Sequence, residues 1–191
     1  LKTTVSMNRL FTVYMVSAMA WLPASAAVTL PGYISDNMIV QRNSVMTLEG
    51  HASPGSRVTV YAGWEENPLA AEAGRDGSFS IGLPTPEAGG PWSITIDDGS
   101  DSMTLENIVS GEVWLCSGQS NMEFPVQGWT TVMDYDREVA TAYHPDIRLL
   151  QVSKTTALSP QQDVAVNNGG WQICSSASMA DFSAIAYFLS L

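Results

Sequence analysis

The chain is poor in the residues that most often carry metal, redox or nucleic-acid chemistry: 191 residues hold 2 cysteines, 2 histidines and only 8 Lys and Arg against 19 Asp and Glu. So few thiols and imidazoles, with no ligand-like spacing between them, exclude a zinc site. A formal charge of −11 argues against a nucleic-acid partner, because phosphate binding needs a basic face. The acid excess reads as surface solubility. Long apolar runs are also missing: the longest, Leu10 to Leu22, is shorter than the roughly 20 residues a bilayer span requires.

That run has a different meaning. It follows Arg9, precedes Pro23 and Ala24-Ser25-Ala26, and so has the basic flank, apolar centre and small-x-small site of a cleavable export signal. Residues 1–27 are therefore expected to direct export, to the periplasm, the cell surface or the medium, with the mature chain starting at Ala27 or Val28 and no membrane span retained. Lys2 and Arg9 leave with it, so the remainder carries 6 basic against 19 acidic residues. In an oxidising compartment a Cys116–Cys174 disulfide is chemically allowed, with a simply buried thiol as the alternative for Cys116.

From Val28 to Ile108, short alternating runs separated by turn signals predict an all-β sandwich domain. The strand candidates are Val45 to Leu48, Val58 to Tyr61, Phe79 to Leu83, Trp92 to Ile96 and Met103 to Ile108. In the third, Phe79, Ile81 and Leu83 share one face while Ser78, Ser80 and Gly82 share the other. Ser53-Pro54-Gly55, Asp76-Gly77, Gly89-Gly90-Pro91 and Asp98-Gly99 supply the fixed or positive φ that chain reversal needs.

Past Ile108 the pattern changes, which marks a second domain over residues 109–191. Glu112 to Cys116 predicts a strand buried on both faces, Thr131 to Tyr143 a helix, Ile147 to Val152 a strand and Trp171 to Cys174 a short extended piece. Met179, Phe182, Ile185, Ala186 and Leu189 recur at helical spacing. Alternating strands and helices predict an α/β domain, and two or three strands are fewer than its sheet usually has, so the chain is expected to be cut short within that domain.

The apolar run of that expected strand leads into Ser117-Gly118-Gln119-Ser120-Asn121-Met122. A serine on a strand-to-helix turn exposes its hydroxyl at a sheet's carboxyl edge, beside backbone N–H groups able to meet an oxyanion. Met122 stands where a G-x-S-x-G elbow has its second glycine, so an α/β-hydrolase elbow is disfavoured. On residue chemistry alone, Ser120 as an ordinary turn residue or helix cap stands beside Ser120 as a nucleophile.

At this point the chain resembles a known family. Gly111-Glu-Val-Trp, Ser117 to Met122 and Glu123-Phe-Pro125 look like the sialate O-acetylesterases of the SGNH hydrolase group. Leu30-Pro31, Ser35 to Arg42, Ala52 to Gly55, Ala88 to Pro91, Gly170 to Cys174 and Phe182 to Phe188 resemble the same family in the same order. The resemblance implies a β-sandwich followed by a flavodoxin-like catalytic domain, of which this chain is the N-terminal part. It implies a carboxylic-ester hydrolase that removes acetyl groups from sialic acids on glycans, without metal or other cofactor. Ser120 matches the family's nucleophile, and its backbone N–H an oxyanion donor. The family's base lies in a D-x-x-H block, and no such block occurs here, so these 191 residues alone are expected to be inactive.

Two other functional readings stand beside that one: an acetylesterase acting on another decorated polysaccharide such as acetylxylan, and a non-catalytic glycan-binding β-sandwich with a hydrolase remnant. Gln119 and Asn121 are candidate substrate amides, with turn stabilisation as the alternative. Neither His51 nor His144 matches the family's base. Asp134, Asp136 and Glu138 read as a solvated helix face rather than a metal site, since only the outer pair shares a face. Trp64, Trp92 and Trp129 read as packing, with sugar stacking the alternative for Trp129.

Overall fold

The computed structural model describes residues 27–161 and 163–191, so the expected export signal falls almost wholly outside the described residues. Seven strands come first: β1 (Ile39–Gln41), β2 (Val45–His51), β3 (Arg57–Ala62), β4 (Leu69–Glu72), β5 (Ser78–Pro84), β6 (Gly89–Asp97) and β7 (Ser102–Gly111). Five form a mixed sheet in the order β1-β7-β6-β3-β4, in which β1 runs parallel to β7, while β2 and β5 pair antiparallel as a second sheet. Both sheets contribute to one core built from Leu48, Val58, Val60, Leu83, Ile94, Ile96 and Ile108, each at most 1% exposed.

The strand candidates correspond to β2, β3, β5, β6 and β7 because period-2 alternation is a strong signal when one face is buried. In β5, Phe79, Ile81 and Leu83 are buried and the residues between them exposed. Two strands escape that signal. β1 is only three residues of a parallel edge, and β4 reads Leu-Ala-Ala-Glu with no apolar alternation.

The second part contains α1 (Tyr135–Thr141), β8 (His144–Leu149), β9 (Gln172–Cys174), α2 (Ser176–Met179) and α3 (Ala184–Ser190). β8 and β9 pair antiparallel, and a separate core of Val126, Ala142, Leu149, Cys174, Met179 and Tyr187 lies beneath them. Hydrogen bonds join the two parts: Trp171 donates from Nε1 to the Tyr33 carbonyl at 2.8 Å and from its backbone to Ser35 Oγ at 3.2 Å, and Arg148 Nη2 donates to Asn107 Oδ1 at 3.2 Å. This close approach requires Gly170, whose φ is +130° and whose Cβ, were there one, would collide with Ser35 Oγ.

Four expectations for this part are corrected. Glu112 to Cys116 is extended but unpaired, with Trp114 69% and Leu115 93% exposed, because no neighbouring strand among the described residues covers it. The helix expected from Thr131 starts only at Tyr135, since Thr131 bridges to Gln127 and Asp134 takes a left-handed φ of 57°. The last helical pattern is split: Ser183 bridges to Pro125, and its hydroxyl accepts from Ala186 N to cap α3 separately from α2. No disulfide forms. Cys174 is fully buried, its thiol directed at the Ala142 carbonyl, while Cys116 sits partly exposed in the unpaired segment. Burial raises the Cys174 thiol pKa, so native protein should react rapidly with a thiol reagent at Cys116 alone, and at both cysteines after denaturation. Two unreactive cysteines in denaturant without reductant would instead reveal a bridge.

Candidate functional site

Gly111 ends β7, and Glu112 is tied back to β1 by Gln41 Nε2 at 2.9 Å and Arg42 Nε at 2.7 Å. These two donors hold the Glu112 carboxyl below the usual range. Gln41 Oε1 then accepts from Val113 N at 2.9 Å, so the start of the extended segment is set by the first sheet. The segment crosses to a turn closed by backbone hydrogen bonds: the Gln119 carbonyl accepts from Met122 N at 2.9 Å and Glu123 N at 3.2 Å, and Asn121 O accepts from Phe124 N at 3.3 Å, while the Ser183 hydroxyl donates to Met122 Sδ at 3.4 Å.

Ser120 sits inside this turn and is exposed. Among the described residues its hydroxyl has no hydrogen-bond partner, and the backbone N–H groups of Ser120 and Asn121 make no hydrogen bond either. A turn residue serving as a cap would spend its hydroxyl on the backbone; this one does not. The side chains of Gln119 and Asn121 are likewise exposed and unpaired within the described residues, so backbone bonds, not their amides, hold the turn. The arrangement thus provides a free hydroxyl, free N–H donors suited to an oxyanion, and two free amides.

The other candidates lie elsewhere. His51 ends β2 opposite Ser78, and His144 opens β8 opposite Cys174; neither bonds to Ser120. Asp134 occupies the N-cap position of α1 without a side-chain cap bond, Asp136 and Glu138 lie in its first turn, and no metal-binding group is found among the described residues. Trp64 and Trp92 pack edge to face at 5.5 Å, as packing residues should. Trp129 departs from the packing expectation, being 73% exposed.

A cleft of about 1510 Å³ opens beside the turn, lined by Ser117, Gly118, Met122 and Glu123, the extended segment, β8 and α3. It exceeds the roughly 300–1,000 Å³ of ordinary ligand pockets. Glu123 pairs with Lys154 at 2.5 Å on its wall. Arg148 also lines it, with Nε and Nη1 buried and without a hydrogen-bond partner among the described residues, and burial lowers its pKa. This Arg148 contact, which links the two parts through Asn107, had no signal in the sequence.

No protein-family model matches the chain. It is similar to sialate O-acetylesterases, at 26% identity over 163 residues to that of Pongo abelii and 25% to that of Homo sapiens, covering 79% of this chain in each case. The match spans 31% of those proteins, so this chain covers under a third of the length of the curated relatives. In structure it is similar to a carbohydrate acetylesterase from Xanthomonas citri, with TM-score 0.76 and 28% identity over 85% of this chain and 36% of that one. The resemblance carried by the Ser120 motif therefore extends over most of the chain.

Proposed function

We propose that this chain carries the nucleophile of a carbohydrate O-acetylesterase acting on O-acetylated sialic acids. The observation that carries this reading is Ser120, exposed in a turn closed by backbone bonds, with its hydroxyl and adjoining N–H groups free among the described residues. The similarity to proteins named sialate O-acetylesterase supports the sialic-acid substrate. Ser120 Oγ would attack the acetyl carbon while its proton passes to a base. The Ser120 and Asn121 N–H groups would face the oxyanion, and the sugar hydroxyl would leave as the C–O bond breaks. Water would then release acetate from the acetyl-serine. Neither His51 nor His144 serves as the base in this reading, so the described residues would turn over slowly by themselves. In the same reading, residues 28–108 form a β-sandwich and 109–191 the start of an SGNH-type α/β domain.

A second substrate reading, a neutral acetylated polysaccharide such as acetylxylan, is favoured by one observation: the similar solved structure is named only as a carbohydrate acetylesterase. Acetate release by the complete gene product from an O-acetylated sialoside and from acetylxylan separates the two. No release from either supports a non-catalytic glycan-binding protein. Export through residues 1–27 belongs to the same proposal. It is supported by the basic flank at Arg9, the apolar run from Leu10 to Leu22 and the small-x-small site at Ala24-Ser25-Ala26. A mature exported protein whose mass starts at Ala27 or Val28 is the expected result; an uncleaved N-terminus would overturn it.

A further inference from the structure

Trp129 is a large aromatic side chain that folding leaves 73% exposed. Its loop is nevertheless closely held. Val126 N donates to Phe182 O at 3.1 Å and Gln127 N to Ala180 O at 2.7 Å, fixing the entry to the loop against the α2–α3 connection. Gly128 N donates to Thr130 O at 2.8 Å and Gln127 bridges to Thr131, closing a tight tip with Trp129 at its apex. Gln127 Oε1 also accepts from the Tyr135 hydroxyl at the start of α1.

Among the described residues the indole makes its ring contact with Phe124, edge to face at 5.5 Å and 73°. Phe124 packs against the second core and directly follows the Ser120 turn, its N–H bonded to Asn121 O. Phe124 thus touches the indole with its ring and the turn bearing Ser120 with its backbone. A rigid tip that withholds an indole from the core makes a poor packing device and a good platform. An indole face carries partial negative charge, and the C–H face of a pyranose is apolar and weakly positive, so the two stack without losing the sugar's hydroxyl hydrogen bonds.

We propose that Trp129 is a substrate-stacking residue that holds the sugar ring while its acetyl group meets Ser120. This rests on the carbohydrate-esterase reading and adds to it the residue that recognises the sugar. Two measurements test it. In the ¹⁵N-labelled 191-residue chain, the indole N–H resonance that disappears in Trp129→Phe should shift on titration with the methyl glycoside of an O-acetylated N-acetylneuraminic acid. It should not shift with ethyl acetate, which has the ester but no ring. An indole that ignores the sugar, or answers both probes alike, overturns the proposal.

In the complete gene product, Trp129→Ala should raise KM for the O-acetylated sialoside by about tenfold with kcat little changed, the scale of one lost aromatic contact. Trp129→Phe should keep most of the affinity, and hydrolysis of 4-nitrophenyl acetate should be unaffected by either. Equal losses on both esters would mean a structural role and overturn it. An indole that responds to the sugar while Ser120→Ala remains fully active would support Trp129 and defeat only the nucleophile assignment.

Discussion

Replacing Ser120 by Ala is expected to lower acetate release from O-acetylated sialoside by about 10⁴- to 10⁶-fold in the complete gene product, the usual cost of deleting an acyl-transfer nucleophile. The fold should not change. Ser120 is exposed, its hydroxyl bonds to nothing among the described residues, and its turn is closed by the Gln119 and Asn121 carbonyls, which the substitution leaves in place. Activity and stability are thereby separated: a fall in turnover with an unchanged urea midpoint identifies a chemical role. Turnover within threefold of wild type would falsify Ser120 as the nucleophile, whatever the substrate.

Truncating Tyr187 to Ala should have the opposite character, costing about 3–5 kcal/mol of stability by emptying a large site in the second core. Tyr187 is 0% exposed and packs on Phe188 at 5.1 Å among Val126, Leu149, Cys174 and Met179. Against a typical domain stability of about 5–15 kcal/mol, such a loss should unfold α3 and loosen the Ser183–Pro125 bridge behind the candidate site. Tyr187→Phe isolates the hydroxyl, which is buried and has no partner among the described residues. Since that hydroxyl gains no bond on burial, the Phe variant should stay within about 1 kcal/mol of wild type.

A pH experiment adds a second check on Tyr187. Burial raises its pKa above the ordinary 10.0, with nearby Cys174 and Glu138 adding to the shift. The neutral phenol is therefore favoured in the folded state. Its contribution is complete below pH 10 and declines as pH rises through the folded pKa. Urea midpoints of wild type should fall more steeply than those of Tyr187→Phe above pH 10, and parallel curves would place the phenol in contact with water.

Much of the first part was legible because its signal is local. Phe79, Ile81 and Leu83 alternate with small polar residues, and such a run can bury only one face as a strand. The second part was harder to read because its elements answer to one another. The helical spacing from Met179 to Leu189 is real, but Ser183 caps a new helix where the chain docks on Pro125, a long-range contact that overrides periodicity. Glu112 to Cys116 has a buried strand's composition, yet composition supplies no neighbouring strand.

The candidate site divides in the same way. Its proposed chemistry was legible through the resemblance that Ser117 to Met122 carries, whereas residue type by itself left Ser120 an ordinary turn residue as readily as a nucleophile. Accessibility and support were decided only in three dimensions. Among the described residues the fold leaves the Ser120 hydroxyl and its neighbouring N–H groups free, brings neither His51 nor His144 into a bond with Ser120, keeps Cys116 and Cys174 unbridged, and turns Trp129 outward on a braced loop. The Trp129 loop depends on bonds to Ala180 and Phe182, distant in the chain, where no local pattern reaches; the Ser120 turn is closed by local backbone bonds, and only its exposure was decided by the tertiary structure.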